Sequence, residues 1–465
     1  MRAPLKAAVL ALVIGTLTAC AVGPDYKMPE QVKQVPFNSP YQQAGAALNW
    51  WQAFNDPVLN QLIEKALVEN RTITQARANV DRAYAVFRDA DNNRLPNGTL
   101  DSGYQAYENS TLDPSDDDII SRGYQSGASL TWDVDLFGKI RRASEAAQAN
   151  AQQADILWHD AQLQIISQVA ASYGDYRGAQ LRLQVAQENV NNLEQSRAIV
   201  LARLNAGMAS ELELARMDAQ LYEVKASVPA YQSQLATADA ALSSLLAATP
   251  GELADSVLSQ GDVSNLPQLS KPVAIVKGEN YLRYRADVAS SERALAASTA
   301  QIGVATADLY PNLSISGFLG FLSSPGFAVN SDSQSWSVAP TLSWQVADWG
   351  SVRARINSAK ASSQMALADF EQSVFSALND MSLSLKSYNL SRQQELTTEQ
   401  QRAASQKAVH IARQRYNAGS GEFLDLLDAE RELLRSRDQQ AQLEKQTFTR
   451  LVNIYKAFGG GISVL

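Results

Sequence analysis

The sequence predicts a mixed α/β membrane protein, internally duplicated, in which two β-hairpins supply four transmembrane strands and alternate with very long helices. Three observations carry this prediction. A set of residues recurs at a fixed separation of 212 positions. Two pairs of stretches alternate apolar and polar residues over roughly the 9–11 residues that a tilted transmembrane strand needs. Two further stretches, each of roughly 68 residues, run without proline to an Asn-Ala-Gly turn, or about 100 Å of helix at 1.5 Å per residue.

The N-terminus comes first in the chain. Arg2 and Lys6 form a basic region and residues 7–17 a short apolar run, which ends at Leu17-Thr18-Ala19-Cys20 with the only cysteine present. The run is too short to span a bilayer and reads as a signal peptide over residues 1–19. The small residues before Cys20 resemble a bacterial lipobox. The resemblance implies cleavage before Cys20 and diacylglycerol on its sulfur; the alternative is an ordinary signal peptide with a chance cysteine. Ala21 is not aspartate, so the usual inner-membrane retention signal is missing and delivery to the outer membrane is expected. No later segment has the long uncharged run of a transmembrane helix, so a chain that crosses a membrane must do so as strands in a closed barrel.

Composition narrows the partners. The 465 residues carry a formal charge of −8, which becomes −10 without Arg2 and Lys6. No basic stripe offsets this, which argues against nucleic acid. Ala, Gln, Leu, Arg and Glu dominate long stretches, as long helices require.

The duplication sets the domain boundaries. Trp132, Val134, Gly138 and Arg141 recur as Trp344, Val346, Gly350 and Arg353, and Asn205-Ala206-Gly207 recurs as Asn417-Ala418-Gly419, all 212 apart; Pro96-Asn97 recurs as Pro311-Asn312, 215 apart. The first repeat is placed at 57–250 and the second at 274–458. They are joined by an equatorial segment at 251–273, preceded by a lipidated segment and equatorial region at 20–56, and followed by a tail at 459–465. Each repeat is expected to run helix (about 57–94, 274–308), hairpin (about 95–137, 310–348), long helix starting at Gly138 or Gly350, and return helix (about 209–247, 421–457). In the hairpins, Leu130, Trp132 and Val134 oppose Ser129, Thr131 and Asp133, and Trp336, Val338 and Leu342 oppose Ser337, Ala339 and Thr341. Pro340 is expected to mark a bulge or bend. The loops at 109–121 and 322–334 are polar enough to face water outside the cell. Either the apolar faces meet lipid, with Trp132, Trp336, Trp344 and Trp349 as an interface girdle, or they pack on a helix of a soluble sheet. Four strands cannot close a barrel, so the chain must oligomerise to remove its edges.

These pieces resemble the outer-membrane efflux proteins, the TolC-like family, in its lipoprotein branch. The matching residues are Cys20-Ala21-Val22-Gly23-Pro24-Asp25-Tyr26, Trp50-Trp51 with Phe54 and Asp56-Pro57, the turns at Gly138 and Gly350, the two Asn-Ala-Gly turns, and Tyr455-Lys456-Ala457-Phe458-Gly459-Gly460-Gly461. One departure is Trp344-Gln345-Val346, which lacks a proline common there. The resemblance implies a homotrimer with a twelve-stranded barrel in the outer membrane and a periplasmic α-helical tunnel. A periplasmic adaptor and an inner-membrane RND-type transporter are the implied partners, with drugs or other small molecules passing unchanged. Within the family the rival is a duct for type I polypeptide secretion; from a different class, the rival is a periplasmic coiled-coil scaffold tethered by lipid on Cys20, with the strands forming a soluble sheet.

Candidate site residues follow. Asn205, Ala206, Gly207 and Asn417, Ala418, Gly419 should form the periplasmic tip turns, where an adaptor would bind. Asp425 and Asp428 share one helical face. By resemblance they form the acidic ring of a periplasmic gate; alternatively they only favour a helix N-terminus. Tyr416 and Glu213 fall where the family latches neighbouring hairpins, but the partner arginine of some members is Gly421 here. Nothing points to an enzyme or to a cofactor beyond the lipid on Cys20: His159 and His410 lack metal-spaced neighbours, and no phosphate-binding loop is present.

Overall fold

The computed structural model describes residues 21–29, 49–109, 119–260, 266, 267, 282, 284–323 and 331–461. After a 3₁₀ turn at Trp50–Phe54 come α1 (Pro57–Glu69), α2 (Arg71–Asn92), β1 (Asn97–Asn109), β2 (Ile119–Val134), α3 (Lys139–Asn205), α4 (Glu211–Leu245) and the short α5 (Glu252–Asp255). The second half contains α6 (Ala286–Ala307), β3 (Asn312–Ser323), β4 (Gln334–Ser343), α7 (Trp349–Asn417) and α8 (Phe423–Ala457). The chain divides into two compact units, residues 1–29, 79–155 and 290–371, and residues 30–78, 156–289 and 372–465.

In the first unit the four strands form one antiparallel sheet in the order β1-β2-β3-β4. Leu130 opposes Gly98 and Gly317, and Leu319 opposes Ala128 and Trp336, so the apolar positions of all four strands share one face. No helix among the described residues covers that face: Leu100, Leu319, Trp336, Val338 and Leu342 are all exposed, Leu100 to 88%. Burying such a side chain is worth about 1.5–3 kcal/mol. Leaving this many in water would cost as much as the whole stability of an ordinary domain, about 5–15 kcal/mol. A soluble sheet therefore does not fit, whereas a sheet facing hydrocarbon does.

The strands correct the expected hairpin bounds. β4 ends at Ser343, so Trp344 and Val346 lie beyond it. The indole of Trp344 donates to the Leu309 carbonyl at 3.1 Å, just as Trp132 donates to Arg94 O at 3.0 Å. The repeated tryptophans thus tie each strand base to the end of the preceding helix. Pro340 is no bulge: it faces Ile315 in unbroken register, and β4 is an edge strand, where proline is tolerated.

The expected helix at 57–94 is two helices, because Asn70 interrupts it. Its side chain accepts from Thr72 N (2.9 Å) and Ile73 N (3.2 Å), capping α2, and donates to Leu245 O at 2.7 Å. The second unit also explains the Trp50-Trp51…Asp56-Pro57 pattern. Trp50 stacks on Tyr455 at 4.5 Å, while Asp56 caps α1 through Val58 N and Leu59 N and accepts from Tyr173 at 2.7 Å. Burial pushes the Tyr455 phenol up to about 12.

The two long helices differ at their starts. Gly138 precedes α3, but α7 starts at Trp349, one residue before Gly350. A Cβ on Gly138 would lie 2.7 Å from Ala21, whereas nothing lies within 4 Å of one on Gly350.

Candidate functional site

The predicted turn residues and latch residues come together at one end of the second unit. Each long helix ends the same way. Gly207 N and Met208 N bond to Leu204 O (2.9 Å) and Arg203 O (2.8 Å), and Gly419 N and Ser420 N to Tyr416 O (3.1 Å) and Arg415 O (2.9 Å). This is the helix-ending arrangement that needs a left-handed residue, and Gly207 and Gly419 supply it at φ 72° and 74°. Asn205, Ala206, Asn417 and Ala418 are exposed beside them. The return helices start differently. Ser210 caps α4 by accepting from Glu213 N at 3.3 Å, whereas Glu422 at the start of α8 makes no side-chain cap.

Behind the turns, Leu193, Val200, Met217, Leu221, Tyr416, Phe423, Leu426 and Leu427 form one apolar cluster. Tyr416 is buried within it, and its hydroxyl donates to Glu213 Oε2 at 3.2 Å. Burial, with the Glu213 carboxylate second, raises the phenol above its ordinary range. The structure thus brings Tyr416 and Glu213 together within a single chain. On the ring of Tyr416 lies the Arg203 guanidinium, 4.3 Å from the centroid, a contact the sequence did not single out. Asp425 and Asp428 are exposed on the first turns of α8, and neither is paired with a cation among the described residues.

Further along the same helices, Glu430 is buried and accepts from Ser196 (2.8 Å) and Arg413 (2.9 Å), joining α3, α7 and α8. Arg182 holds Asp438 through two bonds of 2.7 and 2.9 Å, and Tyr231 adds a third at 2.9 Å.

Cys20 lies outside the described residues. The segment after it is pinned in the first unit: Val22 N donates to Phe137 O (3.1 Å), Arg142 binds Asp25 (2.6 Å), and Tyr26 donates to Glu292 (2.6 Å). Arg142 holds the Asp25 carboxyl below its ordinary range. Residue 21 therefore packs at the turn from β2 into α3, next to the base of the sheet.

A sheet with an uncovered apolar face, two open edges and paired helices of 67 and 69 residues defines the class: a subunit of an outer-membrane channel. The chain belongs to the outer membrane efflux protein family, which it matches over residues 62–248 and 279–460, one match per repeat. It is 29% identical over 462 residues to the solvent efflux pump outer membrane protein SrpC of Pseudomonas putida, covering 96% of this chain and 97% of that one. It is 27% identical over 459 residues to the cation efflux system protein CusC of Escherichia coli K12, covering 96% and 97%. Among solved structures, the outer-membrane channel OprN superposes with a TM-score of 0.88 at 37% identity, over 95% of this chain and 99% of that one. The protein is an outer-membrane efflux channel that extends into the periplasm.

Proposed function

We propose that three copies of this chain form the exit duct of a tripartite efflux pump, taking small molecules from a periplasmic adaptor and an RND-type inner-membrane transporter and releasing them outside the cell. The observation that carries the assembly is the sheet, and the number three follows from the resemblance to the efflux-channel family. Its four strands leave β1 and β4 with unpaired edges and a bare apolar face, and twelve strands meet the minimum of eight for a transmembrane barrel. The efflux cargo follows from the relatives, whose names specify solvents in one case and cations in another.

The pinned segment at residues 21–26 supports lipidation of Cys20, because Ala21 packs against Gly138 and Val22 bonds to Phe137 O at the base of the sheet, the end of the described chain that lies nearest the bilayer. The exposed turns at 205–207 and 417–419 are the adaptor contact. Asp425 and Asp428 line the periplasmic gate, supported by their exposure without a cationic partner among the described residues. Tyr416 and Glu213 hold the hairpins that carry them. Mass measurement in mild detergent tests the assembly: three copies per particle are expected, with heat-modifiable migration on gels, and a stable monomer contradicts it.

A further inference from the structure

We infer that Arg203 is a positioning residue of the gate, holding the second hairpin turn closed through Tyr416; the inference rests on the gate assignment above. Gly421 cannot be the site of a latching cation. A Cβ there would sit 2.9 Å from Arg415 Cβ and 3.1 Å from the backbone of Arg415 and Tyr416, so any side chain must displace the last turn of α7. The cation comes instead from the other hairpin.

Arg203 reaches from the last turn of α3 to α7 and does two things there. Its guanidinium covers the Tyr416 ring at 4.3 Å, and its Nη1 donates to the Tyr416 carbonyl at 2.5 Å. The first is a cation–π contact, strengthened because the tyrosine is buried. The second places a positive charge on the negative end of the α7 dipole. Tyr416 in turn donates to Glu213 on α4. Tyr416 is therefore held on its face by α3 and at its hydroxyl by α4, and both grips must be released before α7 and α8 move away from α3 and α4. The Arg203 Nε is buried without a partner among the described residues, so the side chain accepts a desolvation cost to hold this pose.

The duplication makes the assignment specific. The residue 212 positions after Arg203 is Arg415, likewise in the last turn of its helix, but it is exposed. A basic residue that merely complemented its own helix dipole would behave alike in both repeats.

Single-channel conductance of the purified protein in planar bilayers tests the inference. Arg203→Ala is expected to lower the closed-to-open ratio about tenfold, the weight of a partly desolvated cation–π contact with a charge-assisted hydrogen bond. Arg203→Lys keeps the charge without the planar stack and should lie between, and Arg203→Ala should have a smaller effect in a Tyr416→Leu background, where only the bond to the residue-416 carbonyl is left to lose. Wild-type conductance of Arg203→Ala, in a protein whose Asp425→Ala/Asp428→Ala variant opens, overturns the inference and leaves the gate standing. Wild-type conductance of both overturns the gate itself. If Arg203→Ala fails to assemble, Arg203→Gln replaces it, and a Gln variant indistinguishable from wild type overturns the inference equally.

Discussion

Asp425 and Asp428 expose two carboxylates per chain without a cation beside them among the described residues, so a trimer would converge six in one neck, where mutual repulsion favours bound cations. The double change Asp425→Ala/Asp428→Ala is expected to raise single-channel conductance and weaken block by multivalent cations, and an unchanged conductance contradicts the gate assignment. Glu430 makes a different case, since its carboxylate is buried against Ser196 and Arg413. Replacing it with Ala removes both bonds, but the Arg413 side chain is 37% exposed and keeps a bond to Ser196 at 3.4 Å. The cost therefore falls below the about 3–5 kcal/mol of a fully buried pair, and thermal denaturation of Glu430→Ala should begin below that of the parent. At this scale the sequence was only partly readable. The turn glycines, Tyr416 and Glu213 follow from repeat spacing and resemblance. Arg203 does not, because its partner lies 213 residues away and its twin Arg415 has the same local sequence setting. Only the fold tells the two apart.

At the scale of elements, the duplication was legible because it is written in residues with backbone roles. The spacing of 215 seen in Pro96 and Pro311 also separates α2 from α6 and β1 from β3 at their first residues. The break at Asn70 was not legible, since the stretch keeps a helical pattern and only the bonds from Asn70 to Thr72, Ile73 and Leu245 reveal it. The overlong second hairpin had a similar cause: alternation continues through Trp344 and Val346, but the bond from Trp344 to Leu309 ends the strand. The strap at residues 21–26 hangs on Arg142, which binds Asp25, Glu145 and Val22 O. Arg142→Ala is expected to make the strap susceptible to protease while channels still form. Acid should loosen it also. The Asp25 pKa is depressed in the folded chain, so the contribution of this pair is present above the ordinary value of 3.8 and lost as pH falls through the depressed one. Protease sensitivity confined to pH values near or below that range is the expected profile. In the sheet, Gly127 and Gly320 face each other with the Phe318 ring across them, and a Cβ on Gly127 would come within 2.8 Å of that ring and closer still to backbone. Gly127→Val should therefore abolish heat-modifiable oligomers.

At the scale of the whole molecule, two kinds of surface demand partners of two kinds. The bare apolar face of the sheet asks for lipid, and the open edges of β1 and β4 ask for other copies of the same strands. Alternation and strand length announced the first in the sequence, and the count of four strands announced the second, although neither specifies three copies. The most direct test of the account is the conductance of the purified protein in a planar bilayer, recorded on particles whose mass has been determined in detergent. Steady channels from a trimer are expected. A monomer that does not conduct would contradict it, because the apolar face of the sheet would then have to be covered by something other than lipid.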